Sequence, residues 1–147
     1  MDGLRPYAPA DREACLAIFD ACTPRFFDPS KRASFVAWLD APPPGADYLV
    51  IARDGAPVAC GGWQRDGEAA VLCWGMVAPA LHRQGLGRRL TPARLEAMAQ
   101  APGVRLLKLD TTPASRGFYA RLGFEVVSVA PDGYGPGLDR VDMTRRP

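Results

Sequence analysis

The stretch LHRQGLGRRL, residues 81–90, sets two glycines one residue apart among arginines and a histidine, at the point where a helical pattern begins. A helix N-terminus presents unpaired backbone N–H groups and a partial positive charge, so it holds phosphate wherever the chain lets the ligand approach. Gly85 and Gly87 give that access: lacking Cβ atoms, they tolerate positive φ and let successive amides converge on one concavity. Arg83, Arg88 and Arg89 add charge-assisted donors around it. The main chain over 82–88, which includes His82, Gln84 and Leu86, therefore reads as a diphosphate cradle; a flexible turn beside a solvated basic face is the plainer alternative. Neither common nucleotide fingerprint fits, because a P-loop ends in Gly-Lys-Ser/Thr and the dinucleotide motif needs a third glycine where Leu90 stands.

Working outward, a helix is expected over 85–100 through Leu86, Leu90, Leu95 and Met98. Before it, DYLVIARD, APVACGGWQ and EAAVLCWGMVAP are β-rich runs separated by DG and RDGE, the turn signals of an antiparallel meander. After it, VRLLKLD is a strand reached by a helical crossover, which makes it a parallel neighbour of the preceding strand. At the N-terminus GLRPY reads as a strand. Asp11 is expected to cap a helix burying Cys15, Ile18, Phe19 and Cys22, and Asp28 with Pro29 to start another burying Phe35, Val36 and Leu39. PASRGFYARLGF is a short helix stopped at Gly123, and FEVVSV and LDRVDM close the fold as a strand pair joined by a long loop, APDGYGPG. The order is β-α-α-β-β-β-α-β-α-β-β, an α/β (α+β) class.

Composition narrows the function classes. With 147 residues and 48 % hydrophobic content, the chain suits one domain over residues 1–147 around one core. A net charge of +2 is too mild to argue for a nucleic-acid partner, and none is expected. Cys15, Cys22, Cys60 and Cys73 show no close pairing and His82 stands alone, so no metal site is expected and the thiols read as reduced and structural. No apolar run approaches the roughly 20 residues of a membrane span and no signal-peptide core is present, so the expected location is cytoplasmic.

HRQGLG, residues 82–87, resembles the Gln/Arg-x-x-Gly-x-Gly/Ala signature of the GCN5-related N-acetyltransferase (GNAT) superfamily, and Val77 to Pro79 matches the V-x-P that precedes it. FYARLGF, residues 118–124, is similar to the Phe-Tyr-x-x-x-Gly-Phe block of the penultimate helix, and the element order agrees along essentially the whole chain. The resemblance implies a mixed, mostly antiparallel twisted sheet with a parallel, splayed pair formed by strands four and five, and about four helices. The chain departs from the pattern at His82, where relatives carry Gln or Arg, and at Pro92, which removes a helical bond at a cost on the order of 3 kcal/mol and is expected to tilt the second half of its helix.

The same resemblance implies acetyl-CoA as cofactor, with CoA released, and a primary amine of a small molecule or peptide as acceptor attacking the thioester directly. Gly75, Met76 and Val77 then offer main chain to the pantetheine arm, an amide at Met76 or its neighbour stabilises the oxyanion, and Tyr119 is the acid for the departing thiolate. Gly75 inside an apolar strand itself suits a bulge or close approach, or room for Trp74 or Trp63. Thr112 and Ser115 stand where relatives carry Asn and Ala; Thr112 either bonds the arm or caps the next helix. No general base is evident, with Glu68, Asp110, Glu125, Asp132 and Asp139 as candidates beside a water chain. Arg25, Phe27, Trp74 and Tyr134 are expected to line an aromatic acceptor pocket with one cation. A homodimer fits the superfamily's habit. The competing readings are a non-catalytic acyl-CoA sensor or interaction module, and a structural domain binding another phosphorylated ligand or RNA.

Overall fold

A computed structural model of the chain describes residues 2–147, with side chains from residue 3 onward. Its elements are β1 (Asp2–Pro6), α1 (Arg12–Cys22), α2 (Arg32–Asp40), β2 (Asp47–Arg53), β3 (Ala56–Asp66), β4 (Ala69–Val77), α3 (Leu86–Gln100), β5 (Leu106–Thr111), α4 (Arg116–Arg121), β6 (Glu125–Gly135) and β7 (Leu138–Arg145). The strands form one sheet in the order β1-β2-β3-β4-β5-β7-β6, antiparallel except for β4 and β5. The DG signal between β2 and β3 is a primed hairpin turn, with Asp54 at φ 54° and Gly55 at φ 83°.

Helices cover the sheet on both faces. Cys15, Ile18 and Phe19 of α1 and Phe35 of α2 bury against Val50, Cys60 and Met76. On the opposite face Leu86 and Leu90 of α3 meet Ile51 and Ala59, while Leu95 and Met98 meet Leu72, Leu107 and Met143. The helical spacing of these residues is what makes each helix adhere, since each presents one apolar stripe.

α3 continues as helix through Pro92, which lacks one donor, and buried residues on either side of it hold the helix to the sheet. Two expectations need correction. Asp11 stands before α1 without capping it; its carboxylate accepts from both Arg5 terminal nitrogens (2.7 and 2.8 Å) and from the Ala8 amide (2.9 Å). The long loop between the last strands is instead strand almost throughout. Gly135 pairs with Leu138 around a tight turn, and residues 131–134 bulge out of register. Asp132 (φ 55°) fixes that bulge by accepting from the Gly137 amide at 2.7 Å, while its own amide donates to Asp139 at 3.0 Å.

Asp11 is buried, and hydrogen bonding to Arg5 holds its carboxyl below the usual carboxylate range. A depressed folded pKa gives stability that is fully present above the unfolded value and is lost as pH falls through the folded one. Asp11→Asn is therefore expected to cost about 2 kcal/mol at neutral pH in denaturant titration, a difference that shrinks as the medium is acidified below the carboxylate range.

Candidate active site

β4 and β5 pair at only three positions, Ala69↔Leu106, Ala70↔Leu107 and Val71↔Lys108, and then diverge. Three residues further on, β4 carries a bulge, because Gly61 of β3 alone faces both Trp74 and Gly75. Trp74 takes φ 50° there, and its carbonyl accepts from the buried Tyr48 hydroxyl at 2.8 Å. Beyond Val71 the β5-facing edge of β4 has no partner strand, so its polar main chain opens into a cleft of about 900 Å³ that runs along the wedge.

One end of the cleft is the start of α3. Gly85 adopts φ 81° before the first helical residue, and no side chain caps the helix. The first α3 bond is Arg89 N–H to the Gly85 carbonyl (3.2 Å), which leaves the amides before Arg89 in the first turn aimed out of the helix. Arg83, itself at φ 69°, Gly85, Leu86, Gly87 and Arg88 all line the cleft. Gln84 does not; its side chain accepts from Arg53. His82 lines the cleft but is committed to its own chain. Its amide donates to Pro79 (3.2 Å), its ring Nε2 lies 2.9 Å from the Val77 carbonyl, and the ring packs edge-on against Phe26. The open main chain therefore begins at Arg83 rather than His82.

Tyr119 of α4 borders the same cleft, edge-on to Phe118 and Phe124, with no hydrogen bond to its hydroxyl among the described residues. Thr112 is 4 % exposed, and its hydroxyl is a buried polar atom without a partner. The capping alternative for Thr112 falls, because α4 has Ser115 at its N-cap and no side-chain cap bond. Thr112 lines the cleft, but its hydroxyl oxygen is itself enclosed rather than open to it.

On the far side Phe27, Trp74 and Tyr134 line the cleft together, with Phe27 stacked on Trp74 at 6.1 Å and Trp74 tilted on Phe35 at 5.0 Å. Arg25 is not among them; its guanidinium lies over Phe26. The cations along the cleft are instead Lys31, Arg83, Arg88, Arg94 and Arg140. Of the carboxylates considered as bases only Asp110 borders it, accepting from the Tyr134 hydroxyl with Arg140 3.8 Å away. Burial, then the Asp110 charge, pushes the Tyr134 phenol far above its ordinary range. Sequence reasoning missed Arg94, whose signal was a charged residue in the i, i+4 row of Leu86 and Leu90.

A family model for the acetyltransferase (GNAT) domain matches residues 44–126, and the chain belongs to that family. Membership makes it an acetyl-CoA-dependent N-acetyltransferase by class. The fold agrees with solved structures. The ribosomal-protein-S18-alanine N-acetyltransferase of Escherichia coli superimposes with TM-score 0.83 at 22 % identity, over 99 % of this chain and 94 % of that one. The ribosomal-protein-alanine N-acetyltransferase of Brucella melitensis gives 0.78 at 21 %, over 99 % of each. An aminoglycoside 6'-N-acetyltransferase complexed with coenzyme A gives 0.77 at 15 %, over 98 % and 96 %. The sequence has no significant match among curated proteins. Among the described residues no helix is long and apolar enough to cross a membrane.

Gly85 has open space where a Cβ would stand, so only its φ resists substitution. Gly85→Ala is expected to cost about 1–2 kcal/mol of stability, measured by thermal or denaturant unfolding, with the rest of the fold unchanged.

Proposed function

We propose that the chain, as one domain over residues 1–147, moves an acetyl group from acetyl-CoA to a primary amine of a small molecule or peptide by direct attack. One observation carries this reading: a single cleft joins the uncapped start of α3, the unpaired edge of β4 and the free hydroxyl of Tyr119. The donor supplies an activated thioester. The amides of Arg83–Arg88 and the Arg83 and Arg88 guanidinium groups suit its diphosphate. Main chain of Gly75 and Met76, with the Val77 amide rather than the Val77 carbonyl that His82 and Cys22 engage, suits the amides of its arm, and Thr112 lines the cleft beside it. Ser115 borders the same space.

For the chemical step, an amide at Met76 or its neighbour is the fixed donor for charge building on the carbonyl oxygen. Tyr119 serves the departing sulfur. An ordinary tyrosine, with a pKa of about 10, is a weaker acid than a thiol at about 8.5, so its hydroxyl stabilises by hydrogen bonding before it gives up a proton. Asp110 is the carboxylate we assign to take the proton that the acceptor's ammonium loses before its amine attacks; it borders the cleft beside Tyr134.

Direct transfer is favoured over a covalent acyl-enzyme by the state of the thiols. Cys22 and Cys73 both border the cleft. Burial pushes the first up to about 11 and the second up to about 12, so neither is a thiolate at neutral pH. The cleft also runs on from the phosphate end to Trp38, Gln64 and Tyr134, which leaves room for an acceptor and weighs against a sensor whose acceptor pocket is closed.

Free-thiol release from acetyl-CoA across a panel of amines, amino acids, antibiotics and peptide N-termini tests the activity. With an acceptor in hand, Tyr119→Phe should lower kcat by roughly a hundredfold or more, while calorimetry gives an acetyl-CoA Kd close to that of the native protein. Equal turnover in the variant removes Tyr119 from the mechanism.

A further inference from the structure

Arg94 lies in the middle of α3, on the face that Leu86 and Leu90 turn to the sheet, and is 2 % exposed. Arginines are seldom buried this completely without a carboxylate, yet no ion pair engages Arg94 among the described residues. Its partners are carbonyls: Nε and Nη2 donate to Gly62 (3.2 and 2.7 Å), and Nη2 also donates to Cys73 (3.0 Å). The guanidinium thereby ties β3 to β4 across the bulge.

Two glycines make the seat. A Cβ on Gly61 would stand 2.7 Å from the guanidinium carbon, and one on Gly75 would stand 2.6 Å from Nη1. The three nearest atoms at each position all belong to Arg94 and neither glycine has positive φ, so the arginine is what a side chain there would meet first. Gly61 is the β3 residue facing the bulge and Gly75 is the second bulge residue. The Tyr48 hydroxyl takes the Trp74 carbonyl, so the carbonyls of Cys73 and Trp74 both have a fixed donor.

We infer that Arg94 is a positioning residue: seated between Gly61 and Gly75, its guanidinium sets the β4 bulge so that the main chain of Gly75–Val77 faces the acyl donor, and it keeps an unneutralised positive charge beside that main chain. This deepens the acetyl-transfer reading and rests on it. A fixed positive charge in a buried setting favours the state in which the thioester carbonyl carries most negative charge, and needs no rearrangement when that charge appears. Lysine keeps the charge, but as a single point it cannot span both carbonyls as the planar fork does.

The test needs no acceptor. Acetyl-CoA labelled with 13C at the thioester carbonyl is bound to the native protein, and its resonance should move downfield as β4 polarises the carbonyl. In Arg94→Met most of that displacement should vanish while the acetyl-CoA Kd stays within about threefold, and Arg94→Lys should restore part of it. Once an acceptor is known, Arg94→Met should also lower kcat by about tenfold to a hundredfold. Because Arg94→Met risks misfolding, Gly75→Ala/Arg94→Leu serves as the second variant: Gly75→Ala alone should lower Tm sharply, and the double variant should recover it, since the methyl enters space the arginine has left. The inference is overturned by an unchanged carbonyl displacement in Arg94→Met, or by Gly75→Ala being as damaging in the Arg94→Leu background as in the native one. If the native protein binds no acetyl-CoA, the acetyl-transfer reading falls and this inference with it; native binding with no effect of Arg94 removes this inference alone.

Discussion

Everything proposed for this protein takes place in the wedge where β4 and β5 stop pairing after Val71 and Lys108. A strand in the middle of a sheet ordinarily spends its N–H and C=O groups on both neighbours, and leaving them unpaired away from water is costly. Here the parting is enforced locally. The bulge at Trp74 and Gly75 bends β4 away, and it is pinned from one face by Tyr48 and from the other by Arg94. The exposed edge is thus a built feature that a ligand strand can complete.

The two faces hold the bulge by different physics. Toward α1 and α2 the force is apolar: Trp74 joins Phe19, Phe27 and Phe35 in a run of ring contacts, so the bulge residue is also the anchor of an aromatic cluster. Toward α3 the force is polar, a charge whose desolvation is offset by three donor–carbonyl contacts in a slot that only glycine leaves open. The same helix that carries Arg94 into the sheet starts at Gly85 with its amides turned outward. One element therefore sets both the uncapped, arginine-lined end of the cleft and the contacts that hold the β4 bulge.

Much of this was legible in the sequence. The apolar rows of α1, α2 and α3 follow helical spacing and are buried, except that Val36 of α2 is only partly covered, and Asp54-Gly55 forms the turn its residue types favour. The glycines at 85 and 87 mark the α3 start for a reason visible in the chain, and Gly75 marks the bulge. What stayed hidden depends on contacts between distant segments. The bulged hairpin at 131–134 is fixed by side chains of Asp132 and Asp139 that only the pairing of β6 with β7 brings together. His82 turns back to Val77, Arg25 lies over Phe26, and Asp11 is taken by Arg5; in each case a short-range partner won over the role that position alone suggested. Arg94 was hidden because its seat is made by two glycines on separate strands.

The central claim is that main chain near Arg83–Arg88 and Gly75–Val77 forms one continuous binding surface for the acyl donor. Backbone amide resonances followed by two-dimensional NMR during a CoA titration test it most directly. The account predicts saturable shifts concentrated in those two segments and at Thr112, three separate stretches of chain moving with one Kd. Shifts confined to the basic segment alone, or scattered over the surface without saturation, would contradict it.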